Sequence, residues 1–252
     1  MATIAVPVRQ TLSAERQFFS GLAIALALTT FVGFAPTYYL VSYFDATTSR
    51  GAPAELALSP FVHLHSLAGS LWMLLLVVQT TLVATDRRDI HKKMGILAVA
   101  LAMAITGTAL TVIFDAARRG SVPPGWIPSQ FILIQFGTLF GFLALAALGL
   151  MWRQHSDYHK RLMMLASISM MVPACGRIWR MIGGGEFARG AVGGMMLSDL
   201  FVLALVAFDL KTRKRLHPAT LWGGAALLFL QPFRVIFSET EAWQSVGRWL
   251  IG

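Results

Sequence analysis

Two of the six histidines stand in matching surroundings, in Asp89-Ile90-His91-Lys92-Lys93-Met94 and Asp157-Tyr158-His159-Lys160-Arg161-Leu162. An imidazole at the end of an apolar helix suits haem iron, which needs one or two axial ligands at similar depth and cations for its propionates. His91 and His159 would form that pair, with Lys92, Lys93, Lys160 and Arg161 as propionate partners, and the group expected is a b-type haem. The ordinary alternative is that both histidines close helix ends and meet lipid phosphate, like the basic residues beside them.

A second set of ionisable residues falls toward the other membrane side: His63, His65, Arg177, Arg180, Asp199 and Arg234. A charge near the middle of a spanning helix costs up to about 2.5–3.5 kcal/mol on insertion scales, so unpaired burial is disfavoured. Gathered together, these groups make a pocket in which Asp199 neutralises one arginine and the rest receive a small anionic or quinone-like molecule. Scattered, the arginines snorkel to headgroups and Asp199 meets water. His63 and His65 with Asp199 also form a candidate zinc or copper set, but residues two apart on a helix diverge, so that set requires the helix to start after His63. Cys175 has no base beside it in sequence, and Ser66 and Ser70 lack a Gly-x-Ser-x-Gly setting. The sequence holds no Walker loop, dinucleotide fingerprint or His-Glu-x-x-His.

The elements that must position these residues are membrane helices. Hydrophobic residues make up 56% of the 252-residue chain and charged ones 13%, well below the roughly 25% charged of a soluble domain. Mean hydropathy is +0.65. A net charge of +9 carried on short loops sets topology and meets anionic lipid, and it does not call for nucleic acid. The lone Cys175 excludes an intramolecular disulfide framework.

Residues 60 to 85 contain no Asp, Glu, Lys or Arg and are long enough to cross about 30 Å of hydrocarbon. Within them His65, Trp72 and Gln79 fall within about 40° of one another, whereas His63 points about 200° away from His65. That stripe must face other helices, with Trp72 as core. Seven spanning helices are expected in one membrane domain over residues 1–252, an all-α polytopic bundle.

Residues 18–44 form the first span, with a kink at Pro36 and a belt of Tyr38, Tyr39 and Tyr43. A loop over 45–59, with Gly51 and Pro53, leads to the second. The third covers about 91–114, with Gly95, Ala98, Ala102, Thr106 and Ala109 as an interior small-residue face. After the turn Pro123-Pro124-Gly125 comes the fourth, 129–152, with Gly137-x-x-x-Gly141. The fifth, 159–181, is kinked at Pro173 and ended by Gly183-Gly184-Gly185. The sixth (194–210) and seventh (218–238) follow, then an interfacial segment, 239–252.

Basic residues concentrate in the loops after the second, fourth and sixth spans, while the opposite loops hold mainly Arg50, Arg118, Arg119 and Arg189. The positive-inside rule then places the N-terminus in the cytoplasm of a cell whose inner membrane holds the chain.

The matching histidine segments also suggest two parallel helix pairs, 60–115 and 128–182, related by duplication. His65-Ser66, Trp72, Gln79, His91, Gly95 and Thr106-Gly107-Thr108-Ala109 resemble part of the cytochrome b561 family, over about 50 of the 252 residues. That resemblance implies two b-type haems on opposite membrane sides, with His65 an outer ligand and His91 an inner one. The chain departs from the pattern because no second helix supplies an outer histidine, so at most the inner pair can be completed. As a whole the chain also resembles uncharacterised bacterial multi-helix proteins with His-basic-basic-Leu/Met loops, a likeness that implies no activity. Three functions follow as expectations: a membrane electron carrier, a transporter or binder of a small anionic or quinone-like molecule, and a non-catalytic subunit of a membrane complex with a protein partner.

Overall fold

A computed structural model describes residues 8–44, 59–123, 125–183 and 191–252. Residues 45–58 of the loop expected over 45–59, Arg50 included, lie outside the described residues, as do Pro124, Gly184, Gly185 and Arg189. The described chain is an all-α bundle whose helices are α1 (Val8–Phe34), α2 (Pro60–Ala84), α3 (Arg88–Arg118), α4 (Pro128–Met151), α5 (Ser156–Ser169), α6 (Val172–Met181), α7 (Ala191–Arg213), α8 (Pro218–Ser238) and α9 (Glu241–Ile251).

Six of these helices are long and apolar enough to cross a membrane, and α5 with α6 makes a seventh span when the bent pair is taken as one. Side chains such as Ile96, Met103, Phe140 and Ile236 are exposed on the outer surface. An apolar exterior of this kind is what a bundle in hydrocarbon presents. The interior is filled by Leu26, Ile132, Phe142, Leu165, Met171, Val202 and Leu205.

The prolines account for the irregular places. Pro36 cannot donate a helical hydrogen bond, and at that point α1 passes into a wide turn over Ala35–Tyr39, closed by the Leu40 amide on the Ala35 carbonyl at 2.8 Å. Pro173 breaks the fifth span more sharply than a kink. The chain tightens before it, with the Met171 amide on the Ile168 carbonyl at 2.9 Å, and α6 leaves α5 at 48°. Pro60, Pro128 and Pro218 each open a helix, where the missing N–H costs nothing, whereas Pro232 lies inside α8.

Glycine sets the closest approaches. A Cβ on Gly194 would lie 2.6 Å from the Val172 carbonyl oxygen and 2.7 Å from the Gly176 nitrogen, so α7 meets the backbone of α6 directly. The Gly137-x-x-x-Gly141 pair also receives neighbours: Arg234 of α8 crosses Gly137, while Leu227 and Ser169 approach Gly141. The small-residue face of α3 is only partly interior. Ala98 and Ala109 are buried, but Gly95 faces open space, and Ala102 and Thr106 line an apolar groove of about 350 Å³ between α3 and α4.

Candidate functional site

The turns α2–α3, α4–α5 and α7–α8 gather at one end of the bundle, the basic end. Arg16 of α1 grips Asp86 in the α2–α3 turn at 2.8 and 2.5 Å, and its hydrogen bonds hold that carboxyl below the usual carboxylate range. Asp86 itself takes a left-handed backbone, φ 60°, which lets α3 start two residues later. Hairpin α2–α3 therefore delivers His91 at the start of α3, and hairpin α4–α5 delivers His159 at the start of α5.

The two imidazoles meet across these hairpins with ring centroids 6.1 Å apart and planes nearly perpendicular, at 87°. Each is oriented by a carbonyl on the preceding helix. His91 Nδ1 lies 3.4 Å from the Gln79 oxygen, and His159 Nδ1 lies 2.8 Å from the Gly149 oxygen. A carbonyl can only accept, so this contact fixes the proton on Nδ1 and leaves the Nε2 lone pair of both rings for a ligand. Gln79 completes the frame by donating from Nε2 to the His91 carbonyl at 3.2 Å, while its buried Oε1 has no partner among the described residues.

The cations divide in two. Lys92 and Arg88 stand near His91 on the exposed side of α3. Lys160 is tied to Glu15 at 2.6 Å and to Asp157 at 2.5 Å. Arg161, expected beside the propionates, is instead wholly buried in a forked contact with Asp209 of α7, in which Nε donates to Oδ1 at 3.0 Å and Nη2 also reaches Oδ1. Asp209 further accepts the His217 amide at 3.1 Å, and the His217 ring packs 4.5 Å from Tyr158. Burial, followed by the nearby charges of Arg161 and Arg213, lowers the His217 pKa from its usual value. Asp209 as the partner of Arg161 was not read from the sequence. The available signal was that each charge lies about one turn inside the basic end of its helix.

The remaining predicted residues do not form one pocket. His63 is exposed and sits 3.2 Å from the Tyr38 hydroxyl. His65 joins α2 to α3 through the Thr108 hydroxyl at 3.2 Å. Trp72 is core: its Nε1 donates to Ser167 at 3.1 Å and its ring meets Phe142 edge-on. Arg177 donates to Thr37 at 3.2 Å and lies over the Phe34 ring at 4.3 Å. Arg180 is half-buried at the far end of α6. Asp199 and Arg234 do come together, on α7 and α8, with Gln231 against the carboxylate. Among the described residues no three His, Cys, Asp or Glu side chains gather as metal ligands, so the His63, His65 and Asp199 set is not assembled.

Comparison with protein-family models, with curated proteins and with solved structures returned no match.

Proposed function

We propose that the chain is an electron carrier of a cell inner membrane that holds one b-type haem between His91 and His159, with the basic end on the cytoplasmic side. The observation that carries this reading is the opposed pair of imidazoles, each with Nδ1 on a backbone carbonyl. Metal–imidazole bonds are about 2 Å long and the ring radius is about 1.1 Å, so two imidazoles on opposite sides of one ion would have centroids about 6 Å apart. The 6.1 Å separation here agrees with that spacing.

The number of ligands also discriminates. A bare zinc or copper ion calls for three or four protein ligands, whereas porphyrin iron brings four nitrogens and needs one or two more. Two histidines suit the second case. The groove between α3 and α4 adds an apolar wall on the membrane side, and its rim residue Leu150 follows Gly149, whose carbonyl orients His159. Arg88 and Lys92, exposed beside His91, would be the nearest cations to meet propionates. When bound, the haem supplies one-electron chemistry; the chain's part is to supply two neutral imidazoles at fixed orientation and to keep the iron's surroundings apolar.

The test is haem content after purification from haem-replete cells. Wild type is expected to carry haem, and His91→Ala and His159→Ala are each expected to lose most of it while eluting as folded protein. His65→Ala, whose ring belongs to the α2–α3 contact, is expected to keep it. Equal haem in all four proteins, or none in wild type, contradicts the reading.

A further inference from the structure

In hydrocarbon, a buried polar atom without a partner is costly because no water replaces the missing bond. Three such atoms occur around one small cluster at the end opposite the histidine pair. They are the Arg234 Nε, the Trp126 Nε1 and the Asp199 Oδ1, each buried and unpartnered among the described residues. Arg234 and Trp126 are 6% and 7% exposed as whole residues, so neither reaches the headgroups.

The cluster is well defined. Trp126, Ile134, Val172 and Met195 pack together with Val235 against them. Arg234 precedes Val235, and Asp199 lies one turn beyond Met195 on α7. Arg234 is held in place from one side only: Nη1 donates to the Ile134 carbonyl at 3.1 Å and to the Thr138 hydroxyl at 2.9 Å. Its course across α4 depends on Gly137, where a Cβ would lie 2.8 Å from Arg234 Cδ.

Two free N–H donors and one free carboxylate oxygen define what fits. The arginine and aspartate charges offset each other, so the favoured occupant is uncharged. It must offer an oxygen that accepts from Arg234 or Trp126 and a hydroxyl that donates to Asp199. Asp199 is half-buried, with Met196 and Leu200 beside it on the exposed face of α7, so entry is sideways from lipid. A lipid-soluble ring bearing two opposed oxygens meets all of these requirements as the quinol, while the quinone form meets only the accepting one. We infer that Asp199, Arg234 and Trp126 form a binding site for a quinol-type head group, separate from the histidine pair.

The experiment is equilibrium binding of decylubiquinol and decylubiquinone to the full chain in nanodiscs, with thermal stability measured in parallel. Saturable binding is expected in wild type. Trp126→Phe removes one nitrogen and keeps the packing; it is expected to weaken both forms about tenfold, the worth of one hydrogen bond of about 1.4 kcal/mol, without lowering the stability of the empty protein. Asp199→Asn is expected to weaken the quinol more than the quinone, because only the quinol donates to it. His91→Ala is expected to leave binding unchanged, so loss of the haem reading would not remove this one. The inference is overturned by absence of saturable binding, by affinities that survive both changes, or by a Trp126→Phe protein that is destabilised when empty, since that would reveal a partner for Nε1 already present.

Discussion

His217 shows how a single ring at the basic end couples the fold to pH. Its Nδ1 accepts the Ala219 amide at 3.1 Å and caps α8, a role open only to the neutral ring. It is buried among Arg161, Arg213, Asp157 and Asp209, and its folded pKa is lowered by burial first and then by the arginines. The sign follows from linkage: the unfolded chain takes up the proton at about pH 6.5, before the folded one does, so the neutral ring's contribution is complete above that pH and is lost as pH falls below it. Thermal unfolding in mild detergent is expected to show a Tm that falls from pH 7 toward pH 5, with a smaller fall in His217→Asn, which caps without titrating. A pH dependence identical in the two proteins would exclude His217 as its source. Nothing local in the sequence signals this role, because the cap depends on the α7–α8 turn folding back over Tyr158.

At the scale of elements, the Arg161–Asp209 pair joins α5 to α7, and Asp157 extends it to Arg213 at 3.3 Å. Both side chains of the central pair are fully buried. Removing one partner leaves a buried charge uncompensated, so Arg161→Met is expected to destabilise the protein by about 3–5 kcal/mol. Arg161→Met with Asp209→Leu replaces both with apolar groups and is expected to recover most of that loss. Calorimetry or denaturant titration of the three proteins checks this, and equal loss in single and double variants would mean the pair acts through something other than its charges.

The helices themselves were legible in the sequence, because apolar runs bounded by proline and basic residues set both ends: the last span, 218–238, agrees with α8 residue for residue. The fifth was legible as a span with a proline, but its 48° break depends on α7 packing against the backbone beside Gly176, which no local pattern encodes.

Across the whole molecule, the basic segments read as a repeat do converge. The α2–α3 and α4–α5 hairpins each hold a histidine by its Nδ1 on a carbonyl from the preceding helix. Spacing along the chain indicated the two segments, and only the packing of the hairpins could bring the rings together. The outer set behaved differently. His63 is exposed on α2, Arg177 of α6 lies over Phe34 of α1 and Arg180 is half-buried at the far end of α6, while Asp199 and Arg234 remain together, because sharing a depth along separate helices does not fix the direction in which side chains point.

The most direct test of the account is one absorption spectrum of the purified, haem-replete protein, oxidised and then reduced. The account predicts a Soret band and a sharp reduced α band typical of a six-coordinate b-type haem, at one haem per chain. A colourless protein, or a five-coordinate spectrum unchanged by His159→Ala, would contradict it.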